Sequence, residues 1–239
     1  MAMRARESAL AHVTAFCDCV VVDVMPAIGN IEERAEQIAD SEYERLCSLP
    51  AGEYCDGDMA AAAEAANDKG THFFQTMAAV RQSVLNLFAA GLFHLVEQEL
   101  ADLCWDGAFL VPPPSDTKLE PVTEWYKKYF GLDLKSLPSW PVIDELRLVA
   151  NTIKHGEGGS ARALRARRPE LLEHPLVREL MPDEAGGSPS TRLIRLPLGG
   201  EDLYVTEQLF QGYSEAASGL MREIVGHFEA HENEYYPRA

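Results

Sequence analysis

The sequence has few cysteines, and they do not form the pairs that a disulfide scaffold or a zinc site needs. The 239 residues include five cysteines, namely Cys17, Cys19, Cys47, Cys55 and Cys104. Their number is odd, no C-x-x-C spacing occurs, and a chain of this length can bury a core without covalent staples. We therefore expect reduced thiols in a cytoplasmic protein, with no metal site and no cofactor.

Positive charge is also scarce. Lys and Arg total 21 against 38 Asp and Glu, which gives a formal net charge of -17. Such a chain repels polyanions, so the composition argues against a protein whose whole surface coats nucleic acid or an anionic membrane. Any contact with nucleic acid has to come from a local basic patch.

The sequence has no uninterrupted hydrophobic run of membrane-spanning length. Its most apolar stretch, Val84–Val96, is too short to cross a bilayer and contains Asn86 and His94, which predicts a buried core helix. The apolar run near the N-terminus is interrupted by Asp18 and Asp23, unlike the hydrophobic region of a secretory signal. We therefore expect a protein that does not insert into a membrane.

Apolar residues recur instead at three- and four-residue steps, the period of amphipathic helices. The predicted helices are Glu7–Val24, Asn30–Cys47 with a capping box of Asn30 and Glu33, Met59–Cys104 with a candidate break at Asn67–Gly70, Glu120–Phe130, Pro141–His155, an Arg-rich helix capped by Ser160, and Thr206–Glu232. A small β-hairpin is predicted at about residues 192–205, where apolar segments flank two glycines. We expect one mainly α-helical domain over residues 1–239.

The predicted helix Pro141–His155 has two distinct faces. Its core face carries Val142, Ile143, Leu146, Val149, Ala150 and Ile153. The opposite face carries a polar column of an acid, a guanidinium, an amide and an imidazole, namely Asp144, Arg147, Asn151 and His155. Leu148 falls among these polar residues, which predicts that a second copy of the chain covers the column. We therefore expect a homodimer.

The run Asn151-Thr-Ile-Lys-His155 resembles the hallmark of the HEPN superfamily, an Arg followed four to six residues later by His, often as Arg-Asn-x-x-x-His. The segment Asp144–Pro169 is also similar to uncharacterised bacterial proteins of that group. The resemblance implies an all-α bundle and, in active members, metal-independent RNA cleavage at a dimer interface. One position departs from the pattern, because Ala150 stands where the family most often has its arginine. The nearest upstream arginine is Arg147.

The resemblance implies a role for each residue of the column. A histidine titrates near neutral pH, so His155 would move the proton of the 2′-hydroxyl or of the leaving group. Arg147 would stabilise the extra phosphoryl charge, and Asn151 would orient the imidazole or the phosphate. Asp144 completes the set of catalytic candidates. Replacing Ala150 by Arg restores the usual family spacing and is expected to raise the cleavage rate if the native site is merely weakened.

One segment concentrates positive charge. Residues 147–168 contain six basic side chains and one acid, a net charge of +5 inside a chain of -17. The candidates for RNA binding, beside Arg147, are Lys154, Arg162, Arg165, Arg167 and Arg168. Two interpretations remain open: a phosphate-binding ridge next to His155, or a solvated helix face whose arginines pair with Glu170, Glu173 or other acids.

Two functions are therefore expected from the sequence. The first is a metal-independent endoribonuclease of the bacterial toxin or phage-defence kind, acting as a homodimer on RNA, with an antitoxin or another protein partner. The second is a catalytically silent HEPN-like scaffold that acts through a partner or RNA. The first is favoured if Arg147 and His155 converge on an open groove lined by Arg162 to Arg168. The second is favoured if these groups are engaged in bonds or face away from the basic helix.

Overall fold

The helical spacing of apolar residues accounts for helices over most of the chain. A computed structural model describes residues 2–49, 59–107, 111–180 and 193–231. The main α-helices in these ranges are α1 Ala2–Asp18, α2 Ile31–Cys47, α3 Met59–Gly107, α4 Leu119–Phe130, α5 Trp140–His155, α6 Gly159–Arg167, α7 Pro175–Leu180 and α8 Glu207–Ala230. Short 3-10 turns lie at Leu134–Ser136, Pro169–Leu172 and Pro197–Gly199. The described residues contain no strand, so the prediction of a mainly α-helical protein is confirmed for them.

Helix α3 is the central element. It packs against α1, α2, α4, α5 and α8. In its second half Leu92, Val96 and Leu100 have no exposed surface. In its first half it runs beside α2, where a Cβ at Gly70 would lie 2.9 Å from the carbonyl oxygen of Ala35. The predicted break at residues 67–70 is therefore wrong, because Gly70 serves close helix packing rather than a turn.

The first helical segment continues without a break beyond α1 and beyond its predicted end at Val24. It passes through a π-helical segment, Cys19–Val24, and ends in a further helical turn, Met25–Ala27. Pro26 lies inside that turn, where its missing backbone N–H is tolerated. The expected stop before Pro26 is therefore wrong.

Two predicted helix caps are also corrected. Asn30 precedes α2 in a left-handed conformation with φ of 53°, and its side chain makes no capping bond, so the capping box does not form. Ser160 lies inside α6, whose N-cap position is Gly158. By contrast, the Thr206 hydroxyl does cap α8, because it accepts a hydrogen bond from the backbone N–H of Leu209 at 3.1 Å.

The predicted hairpin is not formed in residues 193–205. Towards its two ends the segment's backbone bonds to other elements, and within it the backbone N–H groups of Gly199 and Glu201 make turn bonds to the Leu196 carbonyl, at 2.8 Å and 3.4 Å. Ile194 and Glu157 are joined through the Glu157 N–H and the Ile194 carbonyl at 3.0 Å, and Tyr204 donates to the Leu171 carbonyl at 2.8 Å. The two glycines mark a 3-10 turn, Pro197–Gly199, which packs on α3.

A buried amide holds this segment on α3. The Asn86 side chain donates to the carbonyls of Pro197 at 2.7 Å and Leu203 at 2.9 Å, and it accepts from the N–H of Val205 at 3.4 Å. At Gly200, φ is 75° and a Cβ would lie 2.2 Å from the Ala79 carbonyl oxygen, so only glycine fits. The pattern of apolar residues around the glycine pair could not show that this segment packs against Asn86 and Ala79 of α3.

Two helical stretches are long and apolar enough to span a membrane by length and composition alone. They are Ser8–Cys47 and Met59–Trp105, with mean hydropathies of 1.6 and 1.3 in their most apolar windows. Core helices of soluble proteins pass the same test, so this finding decides nothing about location.

Candidate functional site: the polar face of helix α5 and its junction with α6

Helix α5 forms where the sequence predicts it. Pro141 occupies the first turn, where its missing N–H is tolerated, and Gly156 ends the helix with φ of 65°. The Gly156 N–H donates to the Thr152 carbonyl at 2.9 Å. The predicted core face is buried at Ile143, Leu146, Val149, Ala150 and Ile153, which directs the polar column outward, whereas Val142, also predicted on that face, is 37% exposed in the first turn.

The column residues lie on the outer face of α5, but their side chains do not converge. Asp144, Arg147 and Asn151 are partly exposed, and His155 is exposed. Arg147 donates from Nε at 2.9 Å and from Nη2 at 2.8 Å to Asp144 Oδ1. Both of these guanidinium donors therefore face a carboxylate of the same chain, and no hydrogen bond or ion pair joins Arg147 to His155.

Leu148 does not belong to the exposed column. It is 7% exposed, and it lies on the same side of α5 as the buried residues Glu145 and Thr152. Helices α6 and α8 both pack on α5, so the buried part of α5 is wider than its apolar residues indicate. The reason given for a homodimer at this column is therefore wrong, and the homodimer itself stays a prediction.

The arginines at the end of α6 bind acids on α5. Arg167 contacts Asp144 Oδ2 through Nη1 at 3.2 Å and Glu145 Oε2 through Nε at 3.3 Å, and it donates to the Pro141 carbonyl at 2.5 Å. Arg168 donates from Nη1 to Glu145 Oε1 at 2.6 Å and also pairs with Glu170. For these two arginines the structure matches the interpretation in which they pair with acids.

Glu145 is the centre of a buried ionic cluster that the sequence did not predict. Glu145 is 7% exposed, and its carboxylate accepts hydrogen bonds from Arg168 and, at 3.0 Å, from the Tyr213 hydroxyl of α8. Burial, together with the nearby Glu145 charge, raises the pKa of Tyr213 above its ordinary value. The sequence feature that could have indicated the burial of Glu145 is its position on α5, one residue before Leu146 and beside the core face.

Glu157 and Arg165 fasten the α5–α6 junction. The Arg165 guanidinium donates to both Glu157 carboxylate oxygens, at 3.2 Å and 2.8 Å, and Glu157 Oε2 also accepts from the Ile194 N–H at 3.2 Å. The hydrogen bond from Arg165 lowers the pKa of Glu157, and the Ile194 N–H acts in the same direction. Glu157 therefore joins Arg165 of α6 to the backbone of Ile194.

Four polar groups at this junction have no side-chain hydrogen bond or ion pair with the part of the chain that the structure describes. They are Asn151, Lys154, His155 and Arg162, hereafter the junction cluster. Lys154, His155 and Arg162 are exposed. The cluster offers hydrogen-bond donors and positive charge to a ligand, while Arg147, Arg165, Arg167 and Arg168 are engaged within the chain.

No group of three His, Cys, Asp or Glu side chains that could hold a metal occurs among the described residues. Cys17, Cys19, Cys47 and Cys104 carry free thiols, and Cys55 lies outside the described ranges. Burial raises the pKa of Cys104 to about 12, so that thiol is no nucleophile at neutral pH.

A cleft of about 710 Å³ lies away from the junction cluster, between the start of α2, the middle of α3 and the start of α8. Its wall carries the carboxylates Glu32, Glu33 and Glu207, and its cation Arg81 pairs with Glu207. No residue of the polar column lines it.

The chain shows no significant match to a protein-family model, to a curated protein or to a solved structure. The likeness to the HEPN group therefore stays a prediction from residues 144–169.

Proposed function

We propose that this protein is a catalytically silent helical scaffold that binds a partner through the junction cluster. The observation that carries this proposal is the pairing of Arg147, Arg165, Arg167 and Arg168 with carboxylates of the same chain. In phosphoryl transfer a charge-stabilising arginine must point to the place where negative charge develops. Here Arg147 points to Asp144, which supports a scaffold over an RNase site built on Arg147.

The position at which the HEPN motif carries its arginine supports the same proposal. Ala150 has no exposed surface and lies against the core. An arginine there would enter the protein interior rather than the polar column. The residue is therefore a packing residue in this chain, and its replacement by Arg is not expected to restore a site.

The junction cluster indicates the chemistry of the partner. Lys154 and Arg162 are exposed cations on the two helices that meet at the junction, and Asn151 and His155 add polar groups on the last two turns of α5. Such a surface suits an acidic segment of another protein, because carboxylates accept hydrogen bonds from all four side chains. The remaining surface of a chain with a net charge of -17 repels the same segment, which favours binding at the junction.

Binding of a fluorescent Asp- and Glu-rich peptide, measured by anisotropy at about 0.15 M salt, where the Debye length is about 8 Å, tests this proposal. The double variant Lys154→Ala/Arg162→Ala is expected to weaken binding at least tenfold. The matched control, Lys128→Ala/Arg222→Ala, removes two cations elsewhere and is expected to leave the affinity within about twofold, because distant exposed charges are screened. Equal weakening in both variants, or no binding by the wild type, would overturn the proposal.

A metal-independent endoribonuclease is the second candidate function, and one observation favours it. His155 is exposed and unpaired at the same junction as Lys154 and Arg162, so an imidazole and two cations are available to a phosphate. The bacterial toxin or phage-defence role and an antitoxin partner belong to this candidate. It requires Arg162 or a rearranged Arg147 to stabilise the phosphoryl charge.

Cleavage of a mixed RNA pool in EDTA separates the two candidates. The scaffold is expected to give no cleavage above the buffer background, in the wild type and in His155→Ala. Cleavage by the wild type that is lost in His155→Ala and kept in the matched control His94→Ala would replace the scaffold by the nuclease.

A further inference from the structure

A serine, a histidine and a glutamate form a hydrogen-bonded chain between α1 and α3. Ser8 Oγ lies 3.2 Å from His12 Nε2, and His12 Nδ1 lies 2.7 Å from Glu99 Oε1. Both distances are within the reach expected between a nucleophile and its base, and between that base and the group that orients it. Such a set of three is recognised by its geometry and not by the order of its residues in the sequence.

Helix period and helix packing bring the three side chains together. Ser8 and His12 are four residues apart on α1, so they are neighbours on one face of the helix. On the same helix Ala9 and Val13 are buried, and α1 packs on α3. Glu99 belongs to α3 and reaches the imidazole from there. The arrangement therefore depends on the folded bundle, because Glu99 is distant in sequence.

The buried carboxylate determines which ring nitrogen carries the proton. Glu99 is 8% exposed, and within the described part of the chain its side chain pairs with His12 alone. A carboxylate accepts hydrogen bonds, so His12 donates to it from Nδ1. In the neutral imidazole the lone pair is then on Nε2, which faces the Ser8 hydroxyl. Ser8 donates to Nε2, and this is the direction in which a general base removes the serine proton.

The hydroxyl and the imidazole are accessible from solvent. The His12 side chain is 60% exposed, and Ser8 is half-buried. From these observations we propose that Ser8, His12 and Glu99 form an acyl-transfer site, with Ser8 as the nucleophile, His12 as the general base and Glu99 as the positioning residue. The catalytic silence proposed above concerns RNA cleavage at the polar column of α5, so a failure of either proposal leaves the other standing.

The reaction needs an ester and water and no further reactant. Ser8 Oγ forms a bond to the acyl carbon while its proton passes to His12 Nε2. The bond from the acyl carbon to the alcohol oxygen then breaks, and His12 returns the proton to that oxygen. Water attacks the acyl group on Ser8 with His12 again as the base, which releases a carboxylic acid and restores the serine hydroxyl.

The position of Ser8 inside a helix limits the rate. The backbone N–H groups of Ser8 and Ala9 bond along α1, so they do not form the pair of donors that stabilises the oxyanion in efficient acyl transferases. The loss of one such donor costs about 10²–10³ in rate. We therefore expect slow turnover of esters with a good leaving group, namely aryl esters.

The charge beside Glu99 indicates which aryl esters are preferred. Glu99 also lines a cavity of about 540 Å³ along α3. The charged residues of its wall are Glu97, Glu99, Asp102 and Lys118, so acids outnumber the cation. Such a wall attracts a cationic group and repels an anionic one. The expected substrates are cationic or neutral aryl esters rather than anionic ones.

Labelling of the full chain with a fluorophosphonate tests the site. An activated serine displaces fluoride from this reagent and keeps the phosphonyl group, and peptide mass mapping locates it. The wild type is expected to be labelled at Ser8, and Ser8→Ala to lose that label. His12→Ala and Glu99→Gln are expected to be labelled at least about tenfold more slowly, because general-base assistance is lost.

Two matched controls accompany these variants. Ser218→Ala removes another half-buried helical serine, and His72→Ala removes another exposed histidine of a helix. Both are expected to be labelled within about twofold of the wild-type rate, because neither residue belongs to the chain of hydrogen bonds.

Two further measurements separate positioning by Glu99 from a merely structural role. Circular dichroism is expected to show the same helical content in the wild type and in Glu99→Gln, and Glu99→Asp, which keeps a carboxylate, is expected to regain part of the labelling rate. Turnover of p-nitrophenyl esters is expected to have a higher kcat/KM for a trimethylammonium-bearing ester than for p-nitrophenyl hemisuccinate, in agreement with the acidic cavity wall.

Three results would overturn the proposal. They are a wild type without label at Ser8, equal labelling rates in the wild type and His12→Ala, and an equal loss in the control variants. Any of them would reduce the chain of hydrogen bonds to a structural tie between α1 and α3. A preference for the hemisuccinate would remove the cavity from the substrate site.

Discussion

The two ends of helix α5 use polar residues in different ways. At its N-terminal half, Asp144 pairs with Arg147 and with Arg167, and Glu145 pairs with Arg167 and Arg168. At its C-terminal end, Lys154 and His155 extend from the helix without a partner among the described side chains. A buried acid stabilises a fold only if its hydrogen bonds are satisfied, whereas an exposed cation need not be paired. We therefore assign the polar residues of the N-terminal half to stabilising the fold, and those of the C-terminal end to binding a ligand.

The largest expected effect comes from placing a charge into the core face of α5. Ala150→Arg puts a guanidinium at a position with no exposed surface, so we expect a loss of about 4 kcal/mol or more in the free energy of unfolding. Urea denaturation followed by circular dichroism measures it. The neighbouring variant Asn151→Arg, on the outer face, is expected to change stability by less than about 1 kcal/mol. Equal stability of the two variants would show that α5 is rotated relative to this structure.

The next effect tests the buried ionic cluster. Glu145→Ala leaves the buried Tyr213 hydroxyl without its acceptor and takes one of two carboxylates from Arg167 and from Arg168, so we expect a loss of about 2–3 kcal/mol in the free energy of unfolding. Asp144→Ala removes a partly exposed acid and is expected to cost less than about 1 kcal/mol. Denaturation of both variants under one condition checks the difference. Similar losses would contradict the contrast between a buried and an exposed acid on α5.

Much of the helical frame could be predicted from the sequence, because helix period, Pro141 and Gly156 act locally. Helices α4, α5 and α8 begin and end within about two residues of their predicted bounds. Residues 193–205 could not be predicted, because their backbone partners Asn86, Glu157 and Leu171 are distant in sequence. Gly70 was misread for the same reason, since it is α2 that makes a glycine necessary there.

The candidate site was predicted as a set of residues but not as an arrangement. The spacing of Asp144, Arg147, Asn151 and His155 gave their common helix face, which follows from 3.6 residues per turn. It could not show that Arg147 binds Asp144 or that Leu148 and Glu145 are buried, because those facts depend on how α6 and α8 pack on α5. The basic segment could likewise be identified from the sequence. Two of the acids that pair with it, Asp144 and Glu145, lie before the segment begins.

A smaller, pH-dependent effect is expected at the α5–α6 junction. The pKa of Glu157 is lowered in the folded protein, so its contribution to stability is present above its ordinary pKa of 4.5 and is lost as pH falls through the lower folded value. Glu157→Gln should therefore be less stable than the wild type at pH 7, and the difference should shrink below pH 4.5. Thermal unfolding from pH 7 to pH 3 measures it. Glu229→Gln, at an exposed position of α8, is the control, and a difference that grows on acidification would contradict the assignment.

The smallest effect is expected at the open end of α5. His155 is exposed and has no side-chain partner among the described residues, so His155→Ala should change the free energy of unfolding by less than about 0.5 kcal/mol. Lys154→Ala should behave alike. Chemical denaturation of both variants beside Glu145→Ala makes the comparison direct. A loss above about 1.5 kcal/mol in His155→Ala would mean that the imidazole supports the fold, and the junction cluster would then no longer be the free surface to which partner binding is assigned.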